Sequence, residues 1–253
     1  MEINGTSALV TGGASGLGEA TARMLAAQGA KVAILDRTPD RAQTVAAEIG
    51  GIALSGDVTS ESDVTAAIAA ATAAHGTPRI VVNCAGIGTA GRVLGRDGPL
   101  PLDAFQRTIS VNLVGTFNVL RLAAAAMAEA EPLADGERGV VINTASVAAF
   151  DGQIGQAAYA ASKGGIVAMS LPVARELARV GVRVNVIAPG IFLTPLLYGL
   201  PEEAQKALAA DIPFPARLGD PAEFAETVCF MARNRYVNGE CLRLDGATRL
   251  KAR

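Results

Sequence analysis

The chain reads as an α/β protein of 253 residues, a doubly wound parallel sheet with helices packed on both faces. Two observations predict this class. Half of the residues are hydrophobic but only 4% are aromatic, and strands buried on both faces of a parallel sheet read as unbroken aliphatic runs. Such runs (Val81-Val82, Val140-Val141-Ile142 and Val182 to Ile187) alternate with helical stretches along the whole chain. That alternation is what right-handed βαβ crossovers produce. The length suits a single domain over 1–253, with ligands expected at the carboxyl ends of the strands.

The first strand is expected at Ser7-Ala8-Leu9-Val10, followed by Thr11-Gly12-Gly13-Ala14-Ser15-Gly16-Leu17-Gly18 and a helix with Ala22, Leu25 and Ala26 on its apolar face. Strand, glycine turn and helix N-terminus together make a cradle for a dinucleotide pyrophosphate. Glycines let the backbone approach the phosphates, and the free helix N–H groups stabilise their charge. The spacing here is G-x-x-x-G-x-G rather than G-x-G-x-x-G. The second strand, Lys31 to Asp36, ends in an acid eighteen residues after Gly18. A carboxylate there accepts hydrogen bonds from ribose hydroxyls and repels a 2′-phosphate. Ser15 supplies no cation for such a phosphate, so NAD is favoured over NADP, with Arg37 as the dissenting residue.

Tyr159 and Lys163 stand four apart, one turn along a helix, and so share a face. Ser146 lies thirteen positions upstream. A free phenol has a pKa near 10. Bringing it to about 7 takes roughly 4 kcal/mol, which a nearby ammonium is expected to supply. The tyrosine then serves as general base toward an alcohol, with Ser146 holding the substrate oxygen. Beyond Pro189-Gly190, residues 191–219 carry Phe192, Leu196, Leu197, Tyr198, Leu200 and Phe214. They form either an acyl channel under a moving lid or a helix covering the core. The loop from Gly88 to Pro101 is longer than a plain strand-to-helix turn needs and is expected to shape the pocket mouth.

These motifs, in this order, resemble the short-chain dehydrogenase/reductase family over essentially the whole chain, with its Rossmann-like fold. The resemblance implies cofactor contacts from Gly12, Ser15, Gly16, Leu17 and Gly18. It implies further contacts from Asp36, from the adenine-side pair Asp57-Val58, and from Cys84, Ala85 and Gly86 of a variant N-A-G motif. Ser146, Tyr159, Lys163 and Asn112 match the catalytic tetrad. Tyr159 and Lys163 also hold the cofactor, Asn112 positions a water that carries the proton outward from Lys163, and Phe192 and Thr194 fix the nicotinamide.

The runs Gly139 to Phe150, Gly155 to Tyr159, Pro213-Phe214-Pro215, Arg217 to Glu223 and Leu244 to Ala247 are similar to one subgroup, the short-chain 3-hydroxyacyl-CoA dehydrogenases, also called type 10 17-beta-hydroxysteroid dehydrogenases. That likeness implies a homotetramer that oxidises short or 2-methyl-branched (S)-3-hydroxyacyl-CoA thioesters with NAD and tolerates steroids. Candidate substrate contacts are Ser146, Phe150, Gln156, Leu196 and Leu197. Arg92, Arg96, Lys206 and Arg217 are candidates for the CoA phosphates. Two alternatives share the tetrad: a 3-oxoacyl-acyl-carrier-protein reductase using NADPH, which Asp36 and Ser15 disfavour, and a hydroxysteroid or alcohol dehydrogenase differing only in its pocket.

A net charge of −2 argues against a nucleic-acid partner, whose footprint is a basic stripe. The alanine-rich helix contains Asn118, Arg121, Glu129 and Glu131, so no membrane span is expected. Met1-Glu2-Ile3 leads almost directly into the first strand, leaving no room for a targeting segment, and a cytoplasmic protein is expected. Cys84, Cys229 and Cys241 are too scattered for a disulfide framework. Cys84 is expected beneath the cofactor. The lone His75 is expected as an exposed helix-end residue, and no cluster suggests a metal site.

Overall fold

The computed structural model describes residues 1–198 and 201–252, apart from the side chains of Leu196, Tyr198, Ala204 and Ala207. In chain order the elements are β1 (Ser7–Thr11), α1 (Gly16–Ala27), β2 (Lys31–Asp36), α2 (Pro39–Glu48), β3 (Ile52–Ser55), α3 (Glu61–His75) and β4 (Ile80–Asn83). A small hairpin of β5 (Leu94–Gly95) and β6 (Gly98–Pro99) follows, then α4 (Leu102–Ile109), a π-helical turn over Ser110–Val114, α5 (Gly115–Ala128) and β7 (Gly139–Thr144). The last part contains α6 (Ala157–Leu177), β8 (Val182–Pro189), α7 (Pro195–Tyr198), α8 (Glu202–Ala210), α9 (Pro221–Arg233) and β9 (Cys241–Leu244).

Seven strands pair in parallel in the order β3-β2-β1-β4-β7-β8-β9. The winding direction reverses between β1 and β4, which opens a crevice at the carboxyl ends of those strands. This is the expected doubly wound Rossmann-like sheet. Side chains alternate faces along each strand. Ala8 and Val10 of β1, with Val32 and Ile34 of β2, meet Leu25, Val45, Phe224 and Val228 from α1, α2 and α9. Leu9, Leu35, Val81 and Val141 face the other way onto Val64 and Ile68 of α3 and Leu120 and Met127 of α5.

Local chemistry sets the helix ends. The Ser60 hydroxyl accepts a hydrogen bond from the Asp63 N–H at 3.2 Å and starts α3. Asp220 and Glu223 form a complete capping box on α9, with Pro221 at its first position, which satisfies N–H groups that the helix itself leaves unpaired.

The continuous helical stretch Leu102–Ala128 is long and apolar enough to cross a membrane by length and composition, with a mean hydropathy of 1.4, although it carries Asp103, Arg107 and Arg121. Burial explains the apolarity. Val119, Leu120, Ala123 and Met127 are all covered by the sheet and α3. His75 differs from expectation. It is half-buried, and its Nε2 has no hydrogen-bond partner among the described residues.

Candidate active site

The glycine turn between β1 and α1 is tight for a steric reason. Gly12 has φ +66°, a conformation costly for any residue with a Cβ, and a Cβ there would lie 2.8 Å from the Ala85 nitrogen. A Cβ on Gly18 would lie 2.2 Å from the Gly12 carbonyl oxygen. The turn can therefore close only on hydrogen atoms, which brings the first N–H groups of α1 to the crevice. Arg41 of α2 braces it, with Nε donating to the Ala14 carbonyl at 3.1 Å and Nη2 meeting Glu19 at 2.9 Å.

Asp36 closes the end of β2. Its Oδ2 accepts the Ala14 N–H at 3.0 Å and its Oδ1 the Thr38 N–H at 2.9 Å, so the carboxylate is locked beside the glycine turn. Arg37 turns the other way, its Nε 3.5 Å from Asp57 Oδ2. Burial pushes the Asp57 carboxyl up, but hydrogen bonds from the Thr59 N–H and hydroxyl and the charge of Arg37 outweigh it, and the net shift is downward. Val58 is held by Asn118, whose Nδ2 donates to the Val58 carbonyl at 2.9 Å.

Gly12, Ser15 to Gly18, Asp36, Asp57, Val58 and Cys84 to Gly86 line one cavity of about 600 Å³. It shares Leu17, Cys84, Gly86 and Ile87 with a second cavity of about 530 Å³ that contains Ser146, Tyr159 and Lys163. The two form one groove across the ends of the strands. Polar side chains at three strand ends support its floor. Thr11 Oγ1 accepts the Ala85 N–H at 3.2 Å and donates to Asn83 Oδ1 at 3.5 Å, and Asn83 Nδ2 donates to Asn143 Oδ1 at 2.9 Å. A polar residue ending an apolar run was the signal for Thr11 and Asn143 that the sequence reading passed over.

Ser146 follows β7 directly and caps the short turn Val147–Ala149, its Oγ accepting the Ala148 N–H at 3.1 Å. Tyr159 and Lys163 occupy the first two turns of α6, whose N-cap is Gln156. Lys163 Nζ lies 5.8 Å from the Tyr159 ring centroid and donates to the Thr144 carbonyl at 2.8 Å. The predicted triad therefore converges.

The predicted depression of the phenol pKa does not appear. Burial raises the Tyr159 phenol above its ordinary value, and only its hydrogen bond with Ser146 pulls it down. Lys163 is itself pushed down to about 8 by burial, against a small opposing effect of Cys84. The physical reason is that both groups are desolvated, which disfavours each charged form, while the ammonium points at Thr144. The Cys84 thiol accepts from Thr144 Oγ1 at 3.5 Å and is pushed up to about 11 by burial, so it stays a neutral thiol.

A lysine in an unfolded chain titrates near 10.4, so the folded protein holds its proton less tightly. Below about pH 8 the desolvation penalty on Lys163 is fully present, and between that pH and about 10.4 stability rises as the fold sheds the proton first. Lys163→Met removes the penalty, on the order of 3 kcal/mol, partly offset by the lost Thr144 hydrogen bond. Its melting temperature should exceed that of the unaltered protein at pH 7, with the gap closing toward pH 10. Thermal denaturation across that range checks it, and a pH-independent gap refutes it.

Asn112 sits in the π-helical turn, a widening that recurs at functional sites. Its Oδ1 accepts the Ile87 N–H at 2.8 Å, and its Nδ2 donates to the Ile87 carbonyl and to Ser162 Oγ, both at 3.0 Å. The side chain is thus held in place by protein contacts. It ties the loop after β4 to the catalytic helix.

Other expected contacts divide. Thr194 faces the glycine turn, its Cβ 3.6 Å from where a Gly16 Cβ would be. Phe192 lines the groove, but its ring is buried edge-on against Phe224 at 6.4 Å. Gln156 and Leu197 line the catalytic cavity. Phe150 does not. It is half-exposed, its ring lying 5.0 Å beneath the Arg243 guanidinium, because the turn after Ser146 directs it outward. Phe214 is 83% exposed and also lies outside the cavity lining. The side chains of Leu196 and Tyr198, and Leu200 altogether, lie outside the described residues. Gly88, Thr89 and Ala90 of the loop expected at the pocket mouth line the cavity, as does Ile191; residues missed from sequence include Ile87, Val147, Ala148, Gln153 and Leu250. Loop and tail residues carry no periodicity by which to find them. Among the described residues no cluster of His, Cys, Asp and Glu could hold a metal ion.

The short chain dehydrogenase family model matches residues 6–205. The 3-hydroxyacyl-CoA dehydrogenase type-2 of Bos taurus is 53% identical over 253 residues, covering 98% of this chain and 97% of the relative. Its Homo sapiens counterpart is 52% identical with the same coverage. A crystal structure of 3-hydroxyacyl-CoA dehydrogenase type-2 from Mycobacterium avium superposes with a TM-score of 0.95 at 48% identity, covering 98% of each chain. With this fold, a converged Ser146, Tyr159 and Lys163, and relatives of this identity, the chain belongs to the short-chain dehydrogenase family and is an oxidoreductase.

Proposed function

We propose that the protein is an NAD-dependent 3-hydroxyacyl-CoA dehydrogenase, acting on short or branched acyl chains with Tyr159 as general acid–base. The observation that carries the cofactor choice is Asp36. Its carboxylate is locked beside the glycine turn by Ala14 and Thr38, where it accepts ribose hydroxyls and repels a 2′-phosphate, while Arg37 is drawn to Asp57. The Gly12 and Gly18 cradle, too tight for any Cβ, fits a pyrophosphate. Gly12 to Gly18, Asp36, Asp57, Val58, Cys84 to Gly86, Tyr159, Lys163 and Thr194 would hold the dinucleotide. Once bound, the nicotinamide supplies or accepts the hydride.

The chain's own residues handle the oxygen and its proton. Ser146 holds the substrate oxygen by a hydrogen bond. Tyr159, whose neutral form is favoured by burial, gives its phenolic proton to the oxygen in ketone reduction; in oxidation its phenolate, the form that has already lost that proton, takes one from the alcohol. Lys163, anchored on Thr144, places positive charge behind the phenol, and Asn112 keeps the loop after β4 fixed to α6.

The acyl-CoA assignment draws on the names of the relatives and on an apolar wall of Val147, Ala148, Ile191, Phe192 and Leu197. Arg217 is held bidentately by Glu223, and Lys206 pairs with Glu202 at 2.7 Å. That favours Arg92 and Arg96 for the CoA phosphates, both exposed beside the hairpin, whose preceding residues Thr89 and Ala90 line the cavity. A homotetramer is supported by large apolar side chains left exposed on helices, among them Val114, Phe117, Leu171 and Phe230, and by the fully exposed Tyr236.

The test is the initial rate with acetoacetyl-CoA and NADH against NADPH. Fast turnover with NADH at least about 100-fold preferred, roughly 3 kcal/mol of discrimination, is expected. Preference for NADPH would point to the carrier-protein reductase, and no turnover with either would redirect the search to steroids and simple alcohols.

A further inference from the structure

The catalytic cavity has a wall that no motif marks. β9 ends at Leu244, and the chain then turns through Gly246 and Ala247, with φ of +56° and +65°. An ionic lattice fixes this turn. Asp245 Oδ2 meets Arg243 Nε at 2.8 Å and Arg249 Nη1 at 3.1 Å, its Oδ1 accepts the Ala247 N–H at 3.0 Å, and Arg243 also pairs with Asp151. Arg243 Nη2 donates to the Thr248 carbonyl at 3.2 Å, and Thr248 is almost fully buried. The tail therefore leaves the sheet from a rigid base.

Beyond that base the tail is tied on two sides. Gln153 Nε2 donates to the Lys251 carbonyl at 3.1 Å, and the Ile154 N–H donates to the Ala252 carbonyl at 3.0 Å. On the other side the Lys251 ammonium pairs with Asp211, the residue that ends α8. Between these ties stands Leu250, half-buried, the one tail residue that lines the catalytic cavity among the described residues. Gln153 also links the strap to the start of α6. Its N–H donates to Gln156 Oε1 at 3.0 Å, and both glutamines line the cavity.

We propose that the strap of residues 248–252 is a built wall of the substrate pocket and that Leu250 sets the length of apolar chain the enzyme accepts. The proposal rests on the acyl-CoA reading for the identity of that chain. An apolar side chain held by a backbone tied at both ends resists displacement by a longer substrate, so added methylenes meet a fixed obstacle rather than a yielding tail. A wall of this kind discriminates through kcat/KM, where a single methylene is worth about 10- to 200-fold at most.

The experiment is a ladder of 3-oxoacyl-CoA substrates from four to ten carbons, run with NADH on the unaltered enzyme, Leu250→Ala and Leu250→Phe. Leu250→Ala is expected to raise kcat/KM for the eight-carbon substrate relative to the four-carbon one by roughly 10-fold, and Leu250→Phe to lower the same ratio by a similar factor. NADH affinity should be unchanged in both, because Leu250 does not line the glycine-turn end of the groove. An unaltered ratio in both variants, or a uniform change in KM across the ladder, overturns the proposal. If the unaltered enzyme fails to turn over acetoacetyl-CoA, the acyl-CoA reading falls by itself. The same three proteins on methyl ketones from butanone to decan-2-one then decide the role of Leu250 by the same ratio.

Discussion

Tyr159→Phe should lower kcat for ketone reduction by about three orders of magnitude, within the 10²–10⁴-fold range that a positioned proton donor contributes, while leaving NADH binding intact. The substitution keeps the ring and removes only the hydroxyl, so only the proton donor is lost. The raised phenol pKa adds a directional pH signature. Reduction needs the neutral phenol and should be flat across the neutral range. Oxidation needs the phenol ionised, so its rate should climb with pH over the same range. Rapid-mixing kinetics in both directions, with NADH fluorescence as the binding control, test this. Residual activity within tenfold of the unaltered enzyme would mean that another group moves the proton.

Gly18→Ala is expected to weaken NADH binding by about 100-fold, close to 3 kcal/mol. The new methyl carbon would lie 2.2 Å from the Gly12 oxygen and 2.7 Å from the Gly12 carbonyl carbon. Neither is a flexible side-chain tip, so the turn itself must open. That movement displaces the start of α1, where the phosphate-facing N–H groups lie, and strains a packed region by a further 1–3 kcal/mol, roughly. Fluorescence titration and thermal denaturation read the two effects separately. Unchanged affinity would show that the turn is not the phosphate cradle.

Particular residues show how much of this was legible beforehand. Gly12, Gly18, Asp36, Ser146, Tyr159 and Lys163 were all found by spacing, because their chemistry depends on neighbours in the chain: a turn, a strand end, one helical turn. Phe150 was expected at the substrate but lies outside the cavity lining, because the direction of a side chain after a turn depends on what fills the space beside it. Arg243 takes the face of Phe150, a pairing between segments far apart in the chain. Asn112 was found, but its side-chain contacts were not, since Ile87 and Ser162 reach it only in the fold.

The pKa values divide in the same way. Spacing alone put an ammonium near a phenol and predicted a lowered phenol. Packing buried both, and desolvation, a property of the surroundings rather than of the pair, raised one and lowered the other. The sequence by itself determined the sheet, the glycine turn and the grouping of Ser146, Tyr159 and Lys163, because each is encoded by periodicity or by spacing along the chain. Only the tertiary structure decided the joining of two cavities into one groove, the titration of Tyr159 and Lys163, and the return of Leu250 to the pocket. Each of these arises from contacts between distant segments, whose positions short-range spacing does not specify.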